Sequence, residues 1–176
     1  MKKPRIVTHP TIEDIRQMVD LDAESYDYLD RGIVSKCLEW LQICPDIYTI
    51  IKSQDMVISY INFVPISESC YNKFKTGLFK DYMIDKSDIL PFKKGNNFCL
   101  FMSIVIKREF RQENAILILL NAFKNKINSL KQRGCLIKSI IADCISTETQ
   151  RFVVDRFNAK CLCSTISNSK IFEFNF

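Results

Sequence analysis

One histidine, His9, and no C-x-x-C pair among eight cysteines leave the chain without the ligand spacing of a zinc site. No bound metal is expected. No window approaches the ~20 uninterrupted apolar residues that a membrane-spanning helix requires. The start, Met1 to Thr8, is charged and lacks the apolar core and small-residue cleavage site of a signal peptide. A soluble protein without a membrane partner is the expectation. Charge of one sign is also scarce: 25 basic against 20 acidic residues give +5, too mild and too dispersed to argue for nucleic acid. Tryptophan occurs once against 13 phenylalanines, yet aromatics at 11% and charged residues at 26% are ordinary for a globular protein, which excludes disorder.

With 176 residues, 47% of them hydrophobic, the chain has the size of one domain and enough apolar surface for a core. A single domain over 1–176 is expected. Most cysteines lie inside apolar runs such as Phe98-Cys-Leu and Ala142-Asp-Cys-Ile, where a reduced thiol acts as a small hydrophobe. That points to a reducing, cytoplasmic setting.

The pattern along the chain predicts a strand over Arg5–His9, then a helix started by Thr11 with Ile12, Ile15 and Val19 inward. A helix over Ile33–Ile43 ends before Pro45. Strands over Ile47–Lys52 and Met56–Val64 form a hairpin across Ser53-Gln-Asp55, and Pro65 closes the second. Ser67 starts a short helix, and Lys75 to Asn97 reads as a long functional loop. The buried strand Phe98–Ile106 leads into a helix from Ala115 to Arg133 that Gly134 terminates. A strand over Ile137–Cys144, a helix over Thr147–Phe157 and a hairpin of Lys160–Ile166 with Lys170–Phe176 complete an α+β order. The alternating strand Ile171–Phe176 fits an ordinary sheet edge or pairing across a dimer, so monomer and homodimer both remain open.

The segment Asn96 to Gln132 is the most informative. The apolar run Phe98–Ile106 stops at the charged turn Lys107-Arg-Glu-Phe-Arg-Gln-Glu-Asn114 and continues as a helix. A strand that ends at a basic turn and feeds a helix gathers backbone N–H groups, cations and a helix N-terminus at one spot, a combination that binds phosphates. The order Ile106-Lys-Arg-Glu-Phe-Arg111-Gln-Glu-Asn114-Ala-Ile116 resembles the acetyl-CoA-binding turn of GNAT-type N-acetyltransferases. The aromatic and the arginine match, while Asn114 and Ile116 replace a glycine and a small residue. The element order is similar to that of the same family across nearly the whole chain. The resemblance implies a GNAT-like mixed, mostly antiparallel sheet with a splayed central strand pair.

It further implies an acyl-CoA-dependent N-acyltransferase, passing acetyl from acetyl-CoA to a primary amine by direct attack in a ternary complex. Main-chain groups of Ile104, Val105 and Ile106 would pair with the pantetheine arm. The turn Arg111, Gln112, Glu113, Asn114, Ala115 and Ile116 would hold the pyrophosphate, with Lys107 or Arg108 adding charge. The family's tyrosine acid aligns with Val154 and is missing. The departing thiolate would take its proton from Cys144, Ser146, Thr147 or water. Glu68, Asp81 or Asp85 would accept the amine's proton, with Tyr60 and Tyr82 lining the pocket. The acids Asp20, Asp22, Glu24, Asp27 and Asp30 fall where the family forms one wall of the acceptor site, which favours a cationic small-molecule or peptide amine. The alternative is a catalytically inactive GNAT-fold binding or regulatory module, because the signature glycines and tyrosine are lost.

Overall fold

The structure is a computed structural model that describes residues 4–111 and 114–175. Its elements run β1 (Arg5–Val7), α1 (Ile12–Asp22), α2 (Val34–Ile43), β2 (Tyr48–Ser53), β3 (Met56–Ile66), α3 (Glu68–Lys75), β4 (Gly95–Ile106), α4 (Ala115–Gln132), β5 (Cys135–Cys144), α5 (Thr147–Phe157), β6 (Lys160–Ser164) and β7 (Lys170–Phe174). This is the expected order. Hydrogen bonding orders the strands β1-β2-β3-β4-β5-β7-β6. The β4–β5 pair is parallel, and β1–β2, β2–β3, β5–β7 and β6–β7 are antiparallel.

The chain divides into two compact units, Met1–Phe63 with Ser103–Leu130 and Val64–Met102 with Lys131–Phe176. In the first, α1 starts at a capping box: Asp14 N donates to Thr11 Oγ1 at 3.2 Å, and Thr11 N donates to Asp14 Oδ2 at 2.8 Å. The buried face of α1 is Asp14, Ile15, Met18, Leu21 and Asp22. Ile12, expected inside, is 57% exposed. The face rotates because Asp14 reaches Lys52 on β2, with Asp14 Oδ1 and Lys52 Nζ 2.5 Å apart and both side chains buried. Phe63 of β3 meets Phe123 of α4 edge-on at 5.1 Å. The α4 stripe is Ala115, Leu119, Ala122, Phe123, Ile127 and Leu130. Ile116 and Leu120 beside it are half-buried.

In the second unit, Pro65 does not end β3, which continues to Ile66. Its carbonyl accepts from Leu90 N at 3.0 Å and Ile66 bridges to Ile89, so the lost proline donor is placed where the strand still finds partners. Lys75 to Asn97 is less irregular than expected. It holds helical turns at Asp81–Met83 and Lys86–Asp88, and β4 begins at Gly95 rather than Phe98. Asn97 hides the strand start in the sequence: its buried side chain donates to the carbonyls of Lys93, Gly95 and Leu136, so a polar residue sits in the core fully paired. Phe157 stacks on Phe174 at 5.0 Å, fixing α5 on β7. The strand β7 lies between β5 and β6, so it is not the sheet edge the alternation suggested. The outer strands are β1, three residues long, and β6, which carries a register shift between Cys161 and Cys163.

None of the eight cysteines is in a disulfide; Cys37, Cys44, Cys70, Cys99, Cys135 and Cys144 are buried and Cys161 is exposed. Among the described residues no helix is long and apolar enough to cross a membrane. No cluster of His, Cys, Asp and Glu among them could hold a metal ion.

Candidate functional site

The parallel ladder between β4 and β5 runs from Gly95↔Cys135 to Leu100↔Ile141, and β4 continues six residues further to Ile106. Those last residues include the three proposed to pair with a pantetheine arm. Val105 packs in the core at 2% exposure, whereas Ile104 and Ile106 are half-buried.

After Ile106 the chain makes a helical turn over Arg108–Phe110. Lys107 is already engaged: its N–H donates to Ile58 O at 2.8 Å, and its Nζ lies 3.3 Å from Glu109 Oε1 and 3.0 Å from Met56 Sδ. Arg108 and Arg111 remain exposed. Arg111 Nε donates to the Ile106 carbonyl at 3.2 Å, which holds the guanidinium against the strand end. Gln112 and Glu113 lie outside the described residues.

Asn114 adopts φ +56°, the left-handed conformation that its alignment with a glycine requires. Its carbonyl accepts from Leu117 N at 2.9 Å and Ile118 N at 3.2 Å, which starts α4. The amides of Ala115 and Ile116 therefore precede the first intrahelical bond, where a helix N-terminus favours an anion. Ala115 is buried and Ile116 half-buried.

The other candidates belong to the second unit. Glu68 is the exposed first residue of α3, where an acid complements the helix dipole. Asp81 opens a helical turn and is half-buried. Asp85 caps the next turn, with its N–H on Asp88 Oδ2 at 3.3 Å. Ser146 is the N-cap of α5 and accepts from Thr149 N at 3.1 Å. Cys144 is buried, and burial, with Asp143 adding, pushes its thiol up to about 12. That makes it a weaker acid than an ordinary thiol. Tyr82 is exposed, and His9 is exposed at the end of the β1 turn.

Two expectations are corrected. Tyr60 does not line a pocket but lies 1% exposed, its hydroxyl donating to Asp22 Oδ1 and hydrogen-bonded by Ser103. Asp22 is not a surface wall. It is buried, and its Oδ2 accepts from Gly32 N at 2.9 Å. Burial raises the Asp22 carboxyl above its ordinary range, the bonds from Tyr60 and Gly32 offsetting part of the rise. A Cβ at Gly32 would meet Asp22 Oδ2 at 3.0 Å, so any side chain there would push the carboxylate aside.

A groove of about 720 Å³ in the first unit is lined by Asp20, Glu24, Asp55, Met56, Lys107 and Phe110 among others. Acids outnumber its one lysine, so it suits a cation and repels phosphate. Sequence reasoning also passed over Lys80 and Asp143, although an acid enclosed by Ala142 and Cys144 in an apolar strand was the visible signal.

No family model matches the sequence, and no curated protein matches it. Solved structures do. The GphF GNAT-like decarboxylase in complex with isobutyryl-CoA superposes with a TM-score of 0.67 at 13% identity, covering 97% of this chain and 98% of that one. The loading GNATL domain of CurA from Lyngbya majuscula gives 0.64 at 12% identity, covering 99% and 98%. Ard1 from Thermoplasma volcanium gives 0.60 at 10%, covering 97% and 94%. Identities this low establish architecture. The chain has the GNAT fold.

Proposed function

We propose that the chain is an acyl-CoA-dependent N-acyltransferase that moves an acetyl group from acetyl-CoA to a primary amine in a ternary complex. The observation that carries this reading is Asn114 at φ +56° between β4 and α4. Asn114 takes the left-handed conformation open to the glycine it replaces. Arg111, tethered to Ile106 O, supplies the charge. The groups fit a diphosphate: exposed guanidinium, first-turn amides of a helix, and a left-handed residue that lets the main chain approach.

In this reading the main chain of Ile104 to Ile106 lies along the pantetheine arm, and a donor there faces the thioester oxygen as it gains charge. The amides of Ala115 and Ile116 at the start of α4 hold the diphosphate, with the Arg111 guanidinium beside them; Gln112 and Glu113, the other two offered for this role, lie outside the described residues. Amine attack forms the N–C bond, the C–S bond breaks, and the thiolate takes its proton from solvent, since Ser146 is committed to capping and the Cys144 thiol is a poor acid. Glu68 and Asp81 are the acids offered for the amine's proton. Asp20 and Glu24 in the acidic groove support a cationic acceptor. Eight cysteines outside any disulfide support a cytoplasmic setting. We take 1–176 as the functional domain, monomeric or homodimeric.

Calorimetric titration with acetyl-CoA and with isobutyryl-CoA, followed by thiol release in the presence of an amine panel, tests the proposal. Binding with thiol release that depends on one amine is the expected result. Binding without release across the panel would leave a binding module, and no binding at millimolar donor would overturn both.

A further inference from the structure

Lys80 follows α3 in the segment leading to β4, and its side chain is only 16% exposed. Its Nζ lies 2.7 Å from Asp143 Oδ2, 3.0 Å from Thr165 Oγ1 and 2.7 Å from Ser169 Oγ. An ammonium carries three N–H donors, and each of these oxygens takes one. Asp143 stands one residue before the end of β5, and Thr165 and Ser169 flank the β6–β7 turn, which Thr165 N closes on Ser169 O at 2.8 Å. Thr165 and Ser169 are buried, and the Asp143 side chain is nine-tenths buried.

The cup is built for more than its occupant uses. Asp143 Oδ1 is buried with no hydrogen-bond partner among the described residues. A buried carboxylate oxygen without a donor is costly, and native structures leave few of them. An arginine would have engaged both carboxylate oxygens with its planar fork. One carboxylate oxygen and two hydroxyls converging on a single nitrogen instead select a compact ammonium.

We propose that Asp143, Thr165 and Ser169 form a binding site for a primary ammonium, that Lys80 fills it from within the chain, and that an external primary amine takes its place when Lys80 withdraws. The site stands on its own geometry, and rests on the acyltransferase reading only for its purpose: there it recognises an ammonium group of a cationic acceptor, and Lys80 is a tethered competitor.

The test compares Lys80→Ala with the natural chain in propylammonium chloride and in tetramethylammonium chloride at equal ionic strength. Propylammonium should raise the Tm of Lys80→Ala by about 2–4 °C at roughly four times its Kd. Tetramethylammonium, which has no N–H, should not, and adding Asp143→Asn should remove the response. An equal response to both cations, a response that survives Asp143→Asn, or none at all overturns the site. Should Lys80→Ala fail to fold, amine-reactive labelling of the natural chain read by mass spectrometry decides. Excess propylammonium should raise Lys80 labelling severalfold relative to exposed Lys94, the reference that corrects for reagent consumed by the added amine, and an unchanged ratio overturns the proposal. Capture of propylammonium by a protein that never releases thiol from acyl-CoA would end the transferase reading and keep the site; thiol release without capture would do the reverse.

Discussion

The Nε of Arg111 donates to the main-chain carbonyl of Ile106 at 3.2 Å, so the cation of the β4–α4 turn is fixed by the strand it follows. Arg111→Glu should abolish acyl-CoA binding, and Arg111→Lys, which keeps charge but loses the fork, should weaken it about 10–100-fold, the worth of a charge-assisted hydrogen bond. Calorimetry of the two variants checks this, and unchanged affinity in Arg111→Glu would remove the phosphate assignment.

Asn114 holds φ +56° where a β-branched residue is strained. Asn114→Val should lower stability by about 1–2 kcal/mol, while Asn114→Gly should hold or slightly raise acyl-CoA affinity. Urea unfolding followed by circular dichroism separates the two. Equal stability of all three proteins would show that the conformation is not demanded.

Asp14 and Lys52 form a buried pair, and removing one member strands the other charge. Asp14→Asn should cost about 3–5 kcal/mol at neutral pH. Burial alone would raise the Asp14 carboxyl, but the bonds from Lys52 and Thr11 outweigh it and hold the group below its ordinary 3.8. A lowered folded-state value means the contribution is present above 3.8 and is lost as pH falls through the folded value. The stability gap to Asp14→Asn should therefore narrow on acidification below pH 4.

Asp22, on the same helix, should behave oppositely. Burial dominates there and leaves its carboxyl above the ordinary 3.8. A raised folded-state value gives a contribution complete below 3.8 that declines as pH climbs through the folded value. The gap between the natural chain and Asp22→Asn should shrink from pH 3 to pH 7, measured by urea denaturation across that range. Parallel trends for Asp14 and Asp22 would contradict the assigned environments.

Helix and strand order was readable because local signals agreed: Thr11 and Ser67 cap, Gly134 terminates, and the apolar runs have strand or helix period. Errors arose where a distant partner decides the outcome. Asp14 and Asp22 look like surface acids until Lys52 and Tyr60, each 38 residues away, draw them inside. Asn97 looks like a loop residue until three carbonyls satisfy it. At the site, the tolerance of Asn114 for a left-handed backbone followed from its side chain alone. The cup around Lys80 did not, since Lys80, Asp143, Thr165 and Ser169 span 89 residues and meet only through the pairing of β5, β6 and β7.

The two margins of the sheet have a consequence for handling this chain. A foreign strand seeking to zip onto it meets a ledge of three residues at β1, or at β6 a row thrown out of step between Cys161 and Cys163. Neither is a template for fibril growth. Concentrated solutions should accordingly fail through thiol oxidation at Cys161 before they fail through cross-β aggregation.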